Sequence, residues 1–346
     1  IYLGSITTTT DAVNLEYVKT IGLTNNGLNG RGFTNPYDVA VSRKGHIYVL
    51  NRCDPVRAAA IRVGICNLDE DYLGEFGDGF GRGDTQFIWP VAIAFDSQER
   101  LYVTDEYIHR VTVFESDGKF VGKWGEEGSE AGKFNGPSGI AIDPKDNVYV
   151  VDQKNARIQK FTTNGDYLGG WGQFGHGPGD FNLPWGITLD SEGAVYVADW
   201  RNDRVQKFSP DGDFMSIIGV TGDENSRLNR PSGVAVDDEG LVYVSDWGSE
   251  RLKVYSPNGI QVANLRGQAT LSKWAMEFFE ANQDEWETRQ KSNLFPDLQE
   301  HLRSPYHESS QTEAYFWGAV SVKLDTQGHV YVTEAVRHRI QIFRKT

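Results

Sequence analysis

Cysteine is scarce in this chain of 346 residues. The two present, Cys53 and Cys66, cannot staple a loop-rich scaffold of several bridges. No apolar run reaches the roughly 20 residues that a membrane-spanning helix needs, so no membrane partner is expected. Basic residues are outnumbered, 34 against 48 acidic ones, and the formal net charge is −14. A nucleic-acid groove presents a basic face, so that partner is not expected either. The chain holds no His-Glu-x-x-His or Cys-x-x-Cys metal signature, no Gly-x-Ser-x-Gly elbow and no phosphate-binding loop. It starts at Ile1 without a signal-like stretch. A cytoplasmic location is slightly favoured on that ground, with a trimmed secretory leader as the alternative.

Glycine and aromatic side chains are plentiful, and they fall into a repeat of 47 residues, cleanest over 183–229. That unit reads Leu183-Pro184-Trp185-Gly186-Ile187, then Val195-Tyr196-Val197-Ala198-Asp199, then Arg204-Val205-Gln206-Lys207-Phe208 and an Asp211-Gly212 turn. Opening prolines recur at Pro36, Pro90, Pro137, Pro184 and Pro231, and the sixth unit opens at Ala319. The residue closing the second strand recurs at Asn51, Asp105, Asp152, Asp199, Asp246 and Glu334. Both rulers give intervals of 54, 47, 47, 47 and 88, so the extra residues are insertions into a fixed frame. Each unit carries four short β-branched or aromatic runs, with Asp-Gly or Asn-Gly turns between the third and fourth. Four strands per unit, repeated six times, predict an all-β, six-bladed β-propeller forming a single domain over 1–346. The run Tyr17-Val18-Lys19-Thr20-Ile21-Gly22 matches the fourth-strand endings, and the chain stops after a third strand. Residues 15–35 should therefore supply the strand that closes the ring and the loop after it, preceded by a polar arm over 1–14.

The pattern Pro-x-Gly-Ile/Val, Val-Tyr-Val-x-Asp and Arg-Ile/Val-Gln-Lys-Phe resembles the NHL repeat family over about residues 15–346, closely in units two to five and more weakly in one and six. That resemblance implies the same six blades and leaves function open. Unit one is also similar to the peptidyl-hydroxyglycine amidating lyases, which carry an arginine just after the second strand of an expanded first blade. Arg52 is the matching position, which implies an anion or carbonyl clamp. Those lyases bind zinc through histidines placed directly after the opening prolines. Here these places hold Val91, Ser138, Trp185 and Ser232, so the zinc assignment fails.

Pairs such as Asp105/Arg110, Asp152/Arg157, Asp199/Arg204 and Asp246/Arg251 repeat in every blade and are expected to be structural bridges. The informative residues are those that break the frame. Unit one has six extra residues within 51–62, including Arg52 and Asp54, and Asp38 replaces a small residue. Cys53 lies in this loop and Cys66 in a core position of the same blade, either bonded or separate. Unit six has Glu334 for Asp, and Lys323 at a packed inner-strand place. A dehydrated lysine is one source of a reactive amine; a stem that packs while its head reaches the channel is the other reading. Residues 268–317 form a long insertion, expected to be helical from the spacing of Leu271, Trp274, Ala275 and Phe278, with Pro296 opening a second helix toward Arg303.

Loops into the innermost strand and between strands two and three share one face of a propeller. Asp38, Arg52, Glu334, Lys323 and His338 are therefore the expected catalytic groups at one channel mouth. Asp54, Tyr107, His109, Trp185, Trp200, Trp247, Arg337 and Trp317 are expected to contact substrate beneath a helical lid. No cofactor is certain; a calcium ion between Asp38 and Glu334 is the one metal to consider. Two functions follow. One is a hydrolase or lyase acting on a small organic molecule under the lid. The other is a non-catalytic propeller that binds a ligand, or a protein partner through 268–317.

Overall fold

The computed structural model describes residues 13–23, 30–53 and 55–346. Most of the expected N-terminal arm, residues 24–29 of the closing segment, and Asp54 lie outside the described residues. The strands form six four-stranded antiparallel sheets. The innermost strands touch in sequence around the ring, and the last, Ala319–Leu324, returns to the first, Pro36–Val41. Leu15–Ile21 supplies the outer strand of blade 6, pairing Leu15 with Lys345 and Ile21 with Ile340. The ring is therefore closed by the N-terminal strand.

Both rulers have a physical basis. Each opening residue pairs with the residue closing the second strand: Pro184 with Asp199, Pro231 with Asp246, Ala319 with Glu334. Proline has no N–H to place in the ladder, and a register shift follows it in blades 1 to 5, as one follows Ala319 in blade 6. Second strands such as Val195–Asp199 are buried at every residue because neighbouring blades cover both their faces. Six apolar clusters result, one per seam between blades; Cys53 lies in the seam of blades 1 and 2 and Cys66 in that of blades 6 and 1.

The closing acid holds the loop that leads into its own blade. The backbone N–H groups of Asn135, Asn182, Asn229 and Trp317 donate to Asp152, Asp199, Asp246 and Glu334, and Thr34 donates to Asn51 in the same way. Arginine completes the bridge in blades 3, 4 and 6, at 2.8, 2.9 and 2.6 Å. Two expected bridges differ. Arg110 turns to Thr112 and the carbonyls of Arg82, Gly83 and Gln86. Asp246 pairs with Lys253 at 2.8 Å, since Lys253 stands where blades 3, 4 and 6 have glutamine.

A second link runs between blades. The residue before the third strand has left-handed backbone at His109, Asp203, Glu250 and His338. Each side chain accepts the N–H of a residue at the start of the next blade, from Gly136, Arg230, Gly318 and Asn35 respectively.

The insertion holds α1 (Lys273–Ala281), α2 (Gln283–Lys291) and α3 (Pro305–Gln311). Ser272 caps α1 through the Ala275 N–H, and Pro305 takes the first turn of α3 after Ser304. The helix expected from Pro296 to Arg303 is only a short 3-10 turn at Glu300–Leu302. The helices are fastened to the rim. Trp274 is buried against Phe33 in the seam of blades 6 and 1, and its indole N–H donates to the Glu70 carbonyl. Arg337 donates to the carbonyls of Ser309 and Ser310, which holds the end of α3 against blade 6.

Two outcomes test this frame. Trp274→Ala should cost about 3–5 kcal/mol and lower the melting temperature, whereas Phe278→Ala, on the solvent side of α1, should change stability by less than about 0.5 kcal/mol. Glu250 is buried, and desolvation, reinforced by Glu334, pushes its carboxyl up to about 7 against the hydrogen bond from Gly318. A raised acid favours the folded state while protonated, so this contribution is complete below the unfolded value of 4.5 and is lost as pH rises through about 7. Glu250→Gln should therefore gain stability over the native protein between pH 5 and 8, by up to about 3 kcal/mol in denaturant titrations.

Candidate functional site

In five of the six blades the residue after the opening position, where the register shifts, reaches the channel. Tyr37, Val91, Trp185, Ser232 and Val320 line the channel in this way. Blades 1 and 4 face each other across the ring, and the Tyr37 and Trp185 rings approach to 6.3 Å. Alongside them the Lys323 Nζ lies 3.1 Å from Asp38 Oδ2, which also accepts the Ile93 N–H. The enclosed space is about 30 Å³. That admits one or two waters and no substrate. Asp38 and Lys323 thus join blades 1 and 6 within the channel.

The usable space lies at the mouth. The residue following each closing acid occupies the same place in every blade: Arg52, Glu106, Gln153, Trp200, Trp247 and Ala335. By the repeat these form a collar. Beside Arg52 is a hollow of about 470 Å³, lined by Tyr37, Arg52, Trp89, Val336 and His338 among others. This is the size of a small-molecule site. The Arg52 guanidinium sits 4.6 Å from the Tyr37 ring centroid and 4.7 Å from that of Trp89. Its Nη2 is 3.5 Å from Glu106 Oε1. Arg52 Nη1 and Glu106 Oε2 are both buried without a hydrogen-bond partner. Burial raises the Tyr37 phenol above its usual value; Arg52 opposes that shift and Glu106 adds to it.

His338 lines the hollow, but its Nδ1 accepts the Asn35 N–H at 2.9 Å, so the neutral ring carries its proton on Nε2. Burial, then the charge of Arg57, lower its basicity. In that state it offers the hollow a hydrogen-bond donor. Tyr107 reaches the site edge by packing on Trp89 at 5.9 Å. Trp200 and Trp247 pack together at 6.3 Å on the far side of the collar.

Other expected site residues have structural work. Both oxygens of Glu334 are taken by Arg339, Gln341 and the Trp317 N–H, and its side chain is fully buried. Arg337 and Trp317 hold the insertion: Trp317 packs on Tyr306 at 5.8 Å with Arg337 5.1 Å from its ring. His109 is a link between blades. Asp38 and Glu334 are each engaged by a basic side chain; among the described residues no group of three or more His, Cys, Asp or Glu gathers as a metal site. None of the lining residues of the channel or the hollow comes from 268–317. Glu106, Tyr37 and Trp89 were not among the expected site residues. Counting one place beyond each closing acid would have found Glu106, and Tyr37 stands in the same register as Trp185.

Three family models match parts of the chain: the SMP-30/gluconolactonase/LRE-like region over 133–226, a 6-bladed β-propeller over 91–169, and the NHL repeat over 228–255 and 316–343. No curated protein matches significantly. Solved structures with the same fold include a catalytically inactive virginiamycin B lyase of Staphylococcus aureus with quinupristin, at 13% identity and TM-score 0.57, covering 96% of this chain and 88% of that one. An auxiliary nutrient binding protein of Bacteroides ovatus aligns at 13% identity and TM-score 0.59, covering 96% and 77%. A protein of unknown function from Bacteroides thetaiotaomicron aligns at 18% and 0.61, covering 97% and 76%. At these identities the likeness is one of fold. With the closed ring of six sheets, it makes the chain a six-bladed β-propeller, two stretches of which match the NHL repeat.

Proposed function

We propose that this propeller is a hydrolase or lyase acting on a small organic molecule that carries a carbonyl or carboxylate, bound in the hollow beside Arg52. The observation that carries this reading is the Arg52 guanidinium, held between two aromatic rings with Nη1 unpartnered and Glu106 alongside. In a largely apolar hollow, such a group stabilises negative charge developing on a carbonyl oxygen. Glu106 supplies the proton acceptor. In hydrolysis it takes a proton from the water that attacks the carbonyl carbon, and the leaving group departs from that carbon. In elimination it takes the proton from the carbon next to the carbonyl; that C–H electron pair becomes the new double bond as the leaving group departs from the neighbouring carbon. One structural neighbour is a lyase and another a nutrient-binding protein, so the architecture is compatible with catalysis and with binding alone.

A second reading is a non-catalytic propeller that meets a protein through its insertion. It is favoured by aromatic side chains left in solvent there, with Phe295 66% exposed and Tyr306 53%.

The test is a turnover screen over esters, lactones, amides and hydroxy acids. For any class that is converted, Arg52→Ala should lower kcat/KM by about 10²–10³, and Glu106→Gln should lower kcat by about 10²–10⁴. Turnover unaffected by both changes overturns this assignment. Binding without turnover in every class transfers the site to the binding reading.

A further inference from the structure

The mouth has two unlike halves. In ring order the collar reads Arg52, Glu106, Gln153, Trp200, Trp247, Ala335, one from each successive blade. With six blades, each position faces the one three places on. Arg52 therefore stands across the mouth from Trp200, and Glu106 across from Trp247. Charged and aromatic arcs oppose each other over the Tyr37 and Trp185 rings, which meet at 6.3 Å on the axis.

The aromatic arc is held in place. The Arg201 and Arg230 guanidinium groups lie 5.4 and 5.3 Å from the Trp200 ring centroid. The Arg230 main chain is fixed as well, since its backbone N–H donates to Asp203 Oδ1 at 2.7 Å. Trp200 and Trp247 pack at 51° to each other and both remain half-buried, so each keeps part of its surface in solvent. An apolar group laid there would find a rigid wall at little cost in side-chain ordering.

The charged arc selects a head group. Arg52 Nη1 is a donor and Glu106 Oε2 an acceptor, both buried and unpartnered, and the Glu106 side chain is only 9% exposed. A carboxylate would satisfy Arg52 but would bring its charge against Glu106. A carboxamide offers its carbonyl oxygen to Arg52 and its N–H to Glu106, and so meets both needs.

Building on the small-molecule reading of this site, we infer that the ligand is a carboxamide bearing an aromatic or bulky apolar tail, its amide on Arg52 and Glu106 and its tail across the mouth on Trp200 and Trp247. Three matched probes test it by calorimetry on the full chain: 3-phenylpropanamide, propanamide and 3-phenylpropanoate. The native protein should bind the phenyl-bearing amide at least about tenfold more tightly than either of the others. Combined Trp200→Ala and Trp247→Ala should bring the ratio of the two amides to within about threefold, and Glu106→Gln should erase the preference for amide over acid. Equal affinity for all three probes in the native protein overturns the inference, and that result does not depend on any variant folding. So does a phenyl advantage that survives loss of both tryptophans, or tighter binding of the acid. No binding of the probes, with another substrate class still converted in an Arg52-dependent way, overturns the inference and leaves the site in place. No binding and no Arg52-dependent turnover removes the underlying reading as well.

Discussion

The molecule depends on one buried contact made six times: a side-chain oxygen at the end of the second strand receives a backbone N–H from the loop entering the same blade. The acids that make it are costly to bury, and desolvation raises Asp152, Asp199 and Asp246 above the ordinary carboxylate range despite the hydrogen bonds they accept. Such a charge is tolerated only when its partners are in place. That requirement fixes the loop and the second strand together, and the loop in turn aims the residue that reaches the channel. Blade 1 shows that geometry, more than charge, is needed. Asn51 accepts the Thr34 N–H as the acids do, while Arg62 pairs with Glu75 instead.

Because that contact sets the frame, the neighbouring positions are free to differ. One place beyond the acid, the side chain changes from blade to blade. Arginine, glutamate, glutamine, tryptophan and alanine all occur there. Variation is thus concentrated on the collar, and the strands below are nearly uniform. The insertion follows the same division: Trp274 and Arg337 fasten it to the rim, away from the hollow.

The blades, their boundaries and the ring closure were legible because each rests on a local signal: a proline without a donor, an acid at a fixed offset, an apolar run ending in Ile21-Gly22. The role of the helices was not. Helical spacing identifies the face of α1 that contains Trp274 without saying what that face meets, and the answer was a seam and not a channel. Arg52 was visible because it breaks the repeat. Glu106 was hidden because it follows Asp105 and reads as a second acid in a polar turn. His109 and His338 were both expected at the mouth, yet they and their counterparts Asp203 and Glu250 accept the same kind of hydrogen bond. That pattern appears only when imidazole and carboxylate are counted together as acceptors.

The pairing of Leu15 with Lys345 has a consequence for how the protein is made. A ribosome delivers the closing strand before all five blades that separate it from its partner. Those blades can form as they emerge, whereas residues 15–21 must wait for the third strand of blade 6 with an unmatched strand edge. Such an edge is open to pairing with other chains, and its loop is the longest the molecule has to close. Closing the ring is therefore the capture of an early strand by one made five blades later.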